Sequence, residues 1–319
     1  MPWMGWWLAR VGRLHHRELF LTPPATGIRI FFSWLNNTDV REGNTLDVVE
    51  PKDGHSQIRH YLIDFNSALG ATPRGAKPPQ FGHEHMIDYG ETFKAFLGLG
   101  LWEKPWQKRW DEAGRGTSDP SVGYFDNRYF NPGRYKPQLP YYPFKDLTRA
   151  DGFWAAKLIM KFTDEEIREM VSTGEYSDPK ARDEIARTLI ERRDLIGRFW
   201  FNEASPLDEF RLAQAADGSY ELQFEDLAVR YKFEPEKSRT YRLDIIGGDG
   251  KKGKRLAREE VQHPTFSIRP EWLNQYPALD LLIRTNRPTE GKEVWSPFVR
   301  VEIRSVAGRA HIAGVFHQD

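Results

Sequence analysis

Asp39 and Asn44 stand just past the end of an apolar helical pattern, and an alternating segment then leads straight into Asp64-Phe65-Asn66. Residues of these types in this order suit phosphoryl transfer. That chemistry needs one carboxylate to orient a nucleophile, plus an amide oxygen and a second carboxylate to hold Mg²⁺ against the phosphates of ATP. The spacing D-x-x-x-x-N followed by an Asp-Phe pair supplies all three groups.

The elements that must position these groups can be read from periodicity. Ile28, Phe31, Phe32 and Leu35 recur at helical spacing, which predicts a helix over about Thr26 to Asn36 that stops at Asn36-Asn37. Asp39 then sits just beyond a helix end. Thr45 to Glu50 is short and apolar, Pro51-Lys52-Asp53-Gly54 is a turn signal, and Gln57 to Ile63 alternates as a returning strand. The expectation is a β-hairpin between Asn44 and Asp64, which would bring both metal-ligand candidates to one end.

On these residues the chain resembles the protein-kinase-like superfamily, and its atypical branches more than the ordinary protein kinases. Asn37-Thr38-Asp39 followed by Asn44 is similar to the catalytic loop of HipA-type kinases. Leu62-Ile63-Asp64-Phe65-Asn66-Ser67-Ala68-Leu69-Gly70 is similar to the Ile-Asp-Phe-Gly-x-x-Leu-Gly of phosphoinositide 3-kinases. There is also a likeness to bacterial proteins with a kinase core related to the spore-coat CotH kinases. The resemblance implies that Asp39 is the catalytic base, Asn44 a metal ligand and Asp64 the principal metal ligand, with Mg²⁺ and ATP as cofactors. Its motifs cover about residues 26–70.

Two departures shape the expectation. Asn66 stands where the family has glycine, although asparagine tolerates positive φ better than other non-glycine residues. In addition, a kinase fold places a β-rich lobe of roughly a hundred residues, with its glycine-rich loop and lysine, before the catalytic loop; 38 residues precede Asp39. The sequence therefore reads as a C-lobe without its N-lobe, either truncated from a longer protein or completed by another chain. An incomplete site of this kind would hold Mg-ATP weakly. The competing reading is a pseudokinase or envelope scaffold whose second domain recognises a protein or glycan.

Composition bounds the alternatives. The 319 residues can hold two domains, and 46 basic against 46 acidic residues leave no net charge, so there is no electrostatic footprint for nucleic acid. Zero cysteines exclude disulfides, Cys-ligated zinc and thiol catalysis, and fit a bacterial cytoplasm or an exported setting equally. Met1 to Leu21 is aromatic but broken by Arg10, Arg13 and Arg17, which predicts neither a transmembrane helix nor a signal peptide.

From Ala71 to Pro143 periodicity is poor. Trp102, Trp106 and Trp110 suggest a short aromatic helix face used in packing, and His83-Glu84-His85 lacks a third ligand, so a loop or supporting role is expected. Three helices should follow: Asp151 to Phe162, apolar all round; one opened by a Thr163/Glu166 capping box and ended by Gly174; and one begun at Asp178-Pro179 with Ala181, Ile185, Leu189 and Ile196 inward. Beyond Pro206 seven strands are predicted, at Tyr220–Phe224, Ala228–Phe233, Thr240–Ile246, Thr265–Ile268, Leu279–Ile283, Phe298–Ile303 and His311–Phe316, with the basic run Lys251, Lys252, Lys254, Arg255 and Arg258 as a solvated loop. The fold class is thus α+β: a kinase-like helical lobe with a small β-hairpin over 1–205, then an antiparallel β-sandwich over 206–319.

Overall fold

A computed structural model describes residues 26–52, 55–99, 101–104, 106, 122–215, 218–248, 253–289, 292–306 and 308–318. The aromatic segment Met1 to Leu21, the Asp53-Gly54 turn, Trp110, Lys251 and Lys252 lie outside them. The chain forms two compact units, Met1–Leu147 with Trp154–Gly197, and Thr148–Phe153 with Arg198–Asp319.

In the first unit, helix α1 (Ile28–Leu35) buries Ile30, Phe32, Trp34 and Leu35. It stops because Asn36 turns left-handed, at φ 48° and ψ 39°, a conformation asparagine adopts more readily than most side chains. The Trp34 indole donates to the Leu189 carbonyl at 2.8 Å, anchoring α1. Strands β1 (Thr45–Lys52) and β2 (His55–Leu62) pair antiparallel from Thr45↔Leu62 to Lys52↔His55, as the hairpin reading requires, and the short strands β3 (Ala71–Thr72) and β4 (Gly75–Ala76) pair antiparallel after them.

The irregular stretch contains an unforeseen helix, α2 (Tyr89–Leu97), whose N-terminus is capped by Asp88 accepting from the Gly90 and Glu91 amides. No buried stripe announced it: Tyr89, Phe93, Phe96 and Leu97 are all exposed, Tyr89 to 81%. Helix α3 (Arg149–Ile159) follows, then α4 (Asp164–Ser172) with the Thr163/Glu166 capping box formed in both directions. Helix α5 (Pro179–Glu203) buries Ala181, Ile185, Leu189 and Ile196. Among the described residues no helix is long and apolar enough to cross a membrane.

The second unit is built from antiparallel sheets. Strands β5 (Leu207–Gln214), β6 (Tyr220–Asp226) and β9 (Thr265–Ile268) form a three-stranded sheet in the order β5-β6-β9. The larger sheet comprises β7 (Tyr241–Gly247), β8 (Lys254–Val261), β10 (Ala278–Thr289), β12 (Val299–Val306) and β13 (Arg309–His317) in the order β13-β12-β10-β7-β8, with β11 (Lys292–Trp295) paired to β10. Leu222, Phe224 and Phe266 of the small sheet share one apolar core with Leu243, Leu281, Val301 and Ile303 of the large one, which makes the pair a sandwich.

Two sequence expectations are corrected here. Ala228–Phe233 is not a strand: Asp226 accepts from the Ala228 amide and caps a short helix, α6 (Leu227–Arg230), and Lys232 then takes a positive φ of 59°. Lys254, Arg255 and Arg258 lie on strand β8 and not in a loop, and Arg258 binds both carboxylate oxygens of Asp244 on β7, at 2.7 and 3.0 Å.

Candidate functional site

The hairpin is the lower part of a longer antiparallel run. Above the Thr45↔Leu62 pair, the Ile63 amide donates to the Asn44 carbonyl at 3.1 Å, Thr38 to Ser67 at 3.1 Å, and Leu69 to Leu35 at 2.9 Å. The Asn37 side chain adds a bond from Nδ2 to the Asp64 carbonyl at 3.3 Å. Chain segments 35–44 and 63–69 therefore lie side by side, and the backbones of Asp39, Asn44 and Asp64 fall along one edge.

Each side chain on that edge is held by a specific contact. Asn44, in the 3₁₀ turn Glu42–Asn44, donates from Nδ2 to the Asp39 carbonyl at 2.8 Å and accepts at Oδ1 from Arg41 Nε at 3.3 Å. An acceptor at one end and a donor at the other fix the amide's orientation. The Asp39 carboxylate, 27% exposed, lies 3.4 Å from the Arg41 guanidinium, so one arginine bridges Asp39 and Asn44. Asp64 Oδ1 accepts from the Asn66 amide at 2.9 Å, an Asx turn, while its Oδ2 has no partner among the described residues. Asn66 is not in the left-handed region; positive φ falls instead at Leu69 (52°) and Gly70 (82°). The Asx turn makes the bend that a glycine would otherwise make.

Lys77 is the residue that sequence reasoning missed. It is 1% exposed, and its ammonium donates to the Asn36 carbonyl at 2.5 Å, to Thr38 Oγ1 at 3.2 Å and to the Ser67 carbonyl at 2.6 Å. Three acceptors match three donors. One buried cation thus clasps both segments of the edge. Burial pushes its pKa well below the usual lysine value, repulsion from Arg192 adds to this, and the charge of Asp39 opposes it. The approach is close: at Gly123 a Cβ would stand 2.1 Å from the Lys77 amide nitrogen, so only glycine fits there. No pattern in Gly75-Ala76-Lys77-Pro78 signals this role, because the partners are set by the loop's path.

His83, Glu84 and His85 go separate ways. His83 stacks on Trp106 with ring centroids 5.2 Å apart, Glu84 pairs with Lys104, and His85 Nδ1 lies 2.7 Å from the Pro137 carbonyl. Trp102 is 45% exposed and donates to Glu91 at 3.4 Å; with Trp106 it lines a cavity and does not enter the core.

No family model matches the chain, and no characterised protein is detectably similar to it in sequence. The functional reading therefore stands on the edge itself. The oxygens it offers are hard, the kind Mg²⁺ takes: Asp64 Oδ2, the Asn44 amide oxygen, and Asn37 Oδ1, which is buried without a hydrogen-bond partner among the described residues, on the side chain whose Nδ2 bonds the Asp64 carbonyl. A buried acceptor left unpaired is the kind of group that a cation satisfies.

Proposed function

We propose that the Asp39–Asn44–Asp64 edge is the metal and acceptor side of a phosphotransferase of the atypical kinase-like kind, with Mg²⁺ and ATP as cofactors. The antiparallel run from Asn44–Ile63 to Leu35–Leu69 is the observation that supports this most, because it brings the backbones of Asp39, Asn44 and Asp64 into neighbouring chain segments. Asp64 and Asn44 would hold the cation. Bound there, it would neutralise phosphate charge and let a γ-phosphoryl group leave ATP. Asp39 would orient an acceptor hydroxyl and accept its proton on the carboxylate. Lys77 positions the loop by clasping Asn36, Thr38 and Ser67.

A second reading, a pseudokinase or scaffold whose sandwich binds a protein or glycan, is favoured by one feature: the Arg41 guanidinium already bridges Asp39 and Asn44, the electrostatic place a cation would take. Mn²⁺ in the presence of ADP separates the two. On the phosphotransferase reading, the paramagnetic ion broadens the Asn44 and Asn37 side-chain amide resonances, Asp64→Ala abolishes the effect, and stability falls by only about 1 kcal/mol, since the one bond lost is the exposed Asx-turn bond from the Asn66 amide to Asp64 Oδ1. Broadening that Asp64→Ala leaves intact, or none even after Arg41→Ala, sinks that reading.

A further inference from the structure

The first unit contains a cavity of about 730 Å³, within the size range of small-molecule sites. Six cationic side chains line it, Arg29, Lys94, Arg128, Arg134, Lys136 and Arg192, against one carboxylate, Glu91. Pairing removes little of the excess. Glu91 is matched by Lys94 at 2.8 Å, and Lys136 by Asp88 at 2.6 Å. The four arginines are left with neutral acceptors or none. Arg29 donates to the Phe144 and Tyr135 carbonyls at 3.2 and 2.8 Å. Arg192 donates to the Ser33 and Asp126 carbonyls and to Asn127 Oδ1, all at 2.8–2.9 Å, between the rings of Phe125 and Phe130. Arg128 and Arg134 are exposed, and neither has a carboxylate partner among the described residues.

Unused donors point the same way. Arg29 Nε and Trp106 Nε1 are buried N–H groups with no acceptor among the described residues, and both residues belong to the wall. Unpaired buried donors beside surplus positive charge mark a place for an anion. Trp102 and Trp106 also line the cavity, flat apolar rings suited to packing on another ring.

We propose that this cavity binds a small organic phosphate, its phosphoryl dianion held among Arg29, Arg128, Arg134 and Arg192 and its organic ring against Trp102 and Trp106. The site stands apart from the reading of Asp39, Asn44 and Asp64 and needs no metal. Its electrostatics agree: burial lowers the Arg192 pKa to about 9 despite the charge of Asp126, and burial together with Arg192 lowers that of His83, another wall residue, to about 4. A bound dianion opposes both shifts.

Calorimetry in EDTA, with adenosine monophosphate, glucose phosphate, adenosine and glucose as probes, tests the site. At least one phosphate should bind while its phosphate-free parent does not, and the tighter of the two identifies the ring the tryptophans accept. Arg128→Gln with Arg134→Gln should weaken binding by about tenfold or more. Both side chains are exposed and make no bond to a described residue, so folding is retained. Asp64→Ala should bind the phosphate as the parent does, and the His83 titration followed by NMR should move upward on saturation. Equal binding of adenosine and its monophosphate, an unchanged affinity in the double arginine variant, or no binding by either phosphate at millimolar concentration overturns the proposal.

Discussion

Lys77→Met should loosen the whole candidate edge at once. The ammonium donates to one acceptor before Asp39 (Asn36), one beside it (Thr38) and one after Asp64 (Ser67); its loss strands the Asn36 carbonyl, while Ser67 keeps the Thr38 amide and Thr38 Oγ1 keeps Gln138 Nε2. The stranded acceptor costs about 1–3 kcal/mol, and each lost bond to the charge about 1.5–3 kcal/mol. Part of that is offset because the cost of burying a charge disappears with the charge. The expected net loss is about 3 kcal/mol, a large share of an ordinary domain's stability. Urea unfolding followed by circular dichroism would measure it, and hydrogen exchange would locate it, with the Thr38 and Leu69 amides losing protection first. A loss under about 1 kcal/mol with Thr38 still protected would mean that the backbone bonds alone hold the edge.

The same lysine gives a pH signature whose sign can be worked out. Its folded pKa lies well below the unfolded 10.5, so between the two values the unfolded chain binds more protons than the folded one. Stability contributed by this group is complete above 10.5 and is lost as pH falls through the lowered value. Tyr135 and Tyr241 act oppositely: burial raises both, so their contribution is present below the ordinary tyrosine value of 10.0 and is lost as pH rises through the folded ones. The comparison therefore belongs below about pH 10. There the parent should gain stability with rising pH more steeply than Lys77→Met.

Local signals carried much of the fold. Helix α1, the hairpin, the capping box and the inward stripe of α5 are each determined by residues within a few positions of one another, so periodicity and capping chemistry reveal them. Where they misled, the partner taken by a charged side chain decided. Ala228–Phe233 has the composition of a strand, but the Asp226 carboxylate captures the Ala228 amide and starts a helical turn instead. Strand β8 looks like a charged loop because its pairing is ionic: Arg258 faces Asp244 and Glu260 faces Arg242 in register across β7. Charges on an edge strand also discourage pairing with another chain.

The candidate site was legible for the same reason and to the same extent. A hairpin that closes at Thr45↔Leu62 must bring Asn44 and Asp64 near one another, and only the hairpin had to be recognised. Lys77 was invisible because its partners lie 41, 39 and 10 positions away and two of the three are backbone carbonyls, which carry no sequence label. The arginines of the cavity are likewise scattered from Arg29 to Arg192 through a chain with no net charge. Local charge excess of this kind arises from folding and leaves no trace in composition.

In the second unit the largest effect is expected at Asp226. It is almost wholly buried, and its two oxygens serve three donors: the Ala228 amide at 3.0 Å, Arg239 Nε at 2.7 Å and the Tyr241 hydroxyl at 3.3 Å. Arg239 is equally buried and donates onward to the Asn286 carbonyl at 2.9 Å, so the pair ties the end of β6 to β10. Asp226→Asn keeps the shape but turns an NH₂ toward a guanidinium or toward the Ala228 amide, leaving a buried positive charge without its counter-ion. The expected cost is about 3–5 kcal/mol, and Asp226→Leu should be at least as damaging because it removes the helix cap as well. Combining Asp226→Leu with Arg239→Met removes the stranded charge and should recover part of the loss, by about 1–4 kcal/mol relative to Asp226→Leu alone. Chemical denaturation of the parent, the two single variants and the double variant closes the cycle. Strict additivity would mean that the two charges stabilise the sandwich independently, and that the buried ion pair is not what joins β6 to β10.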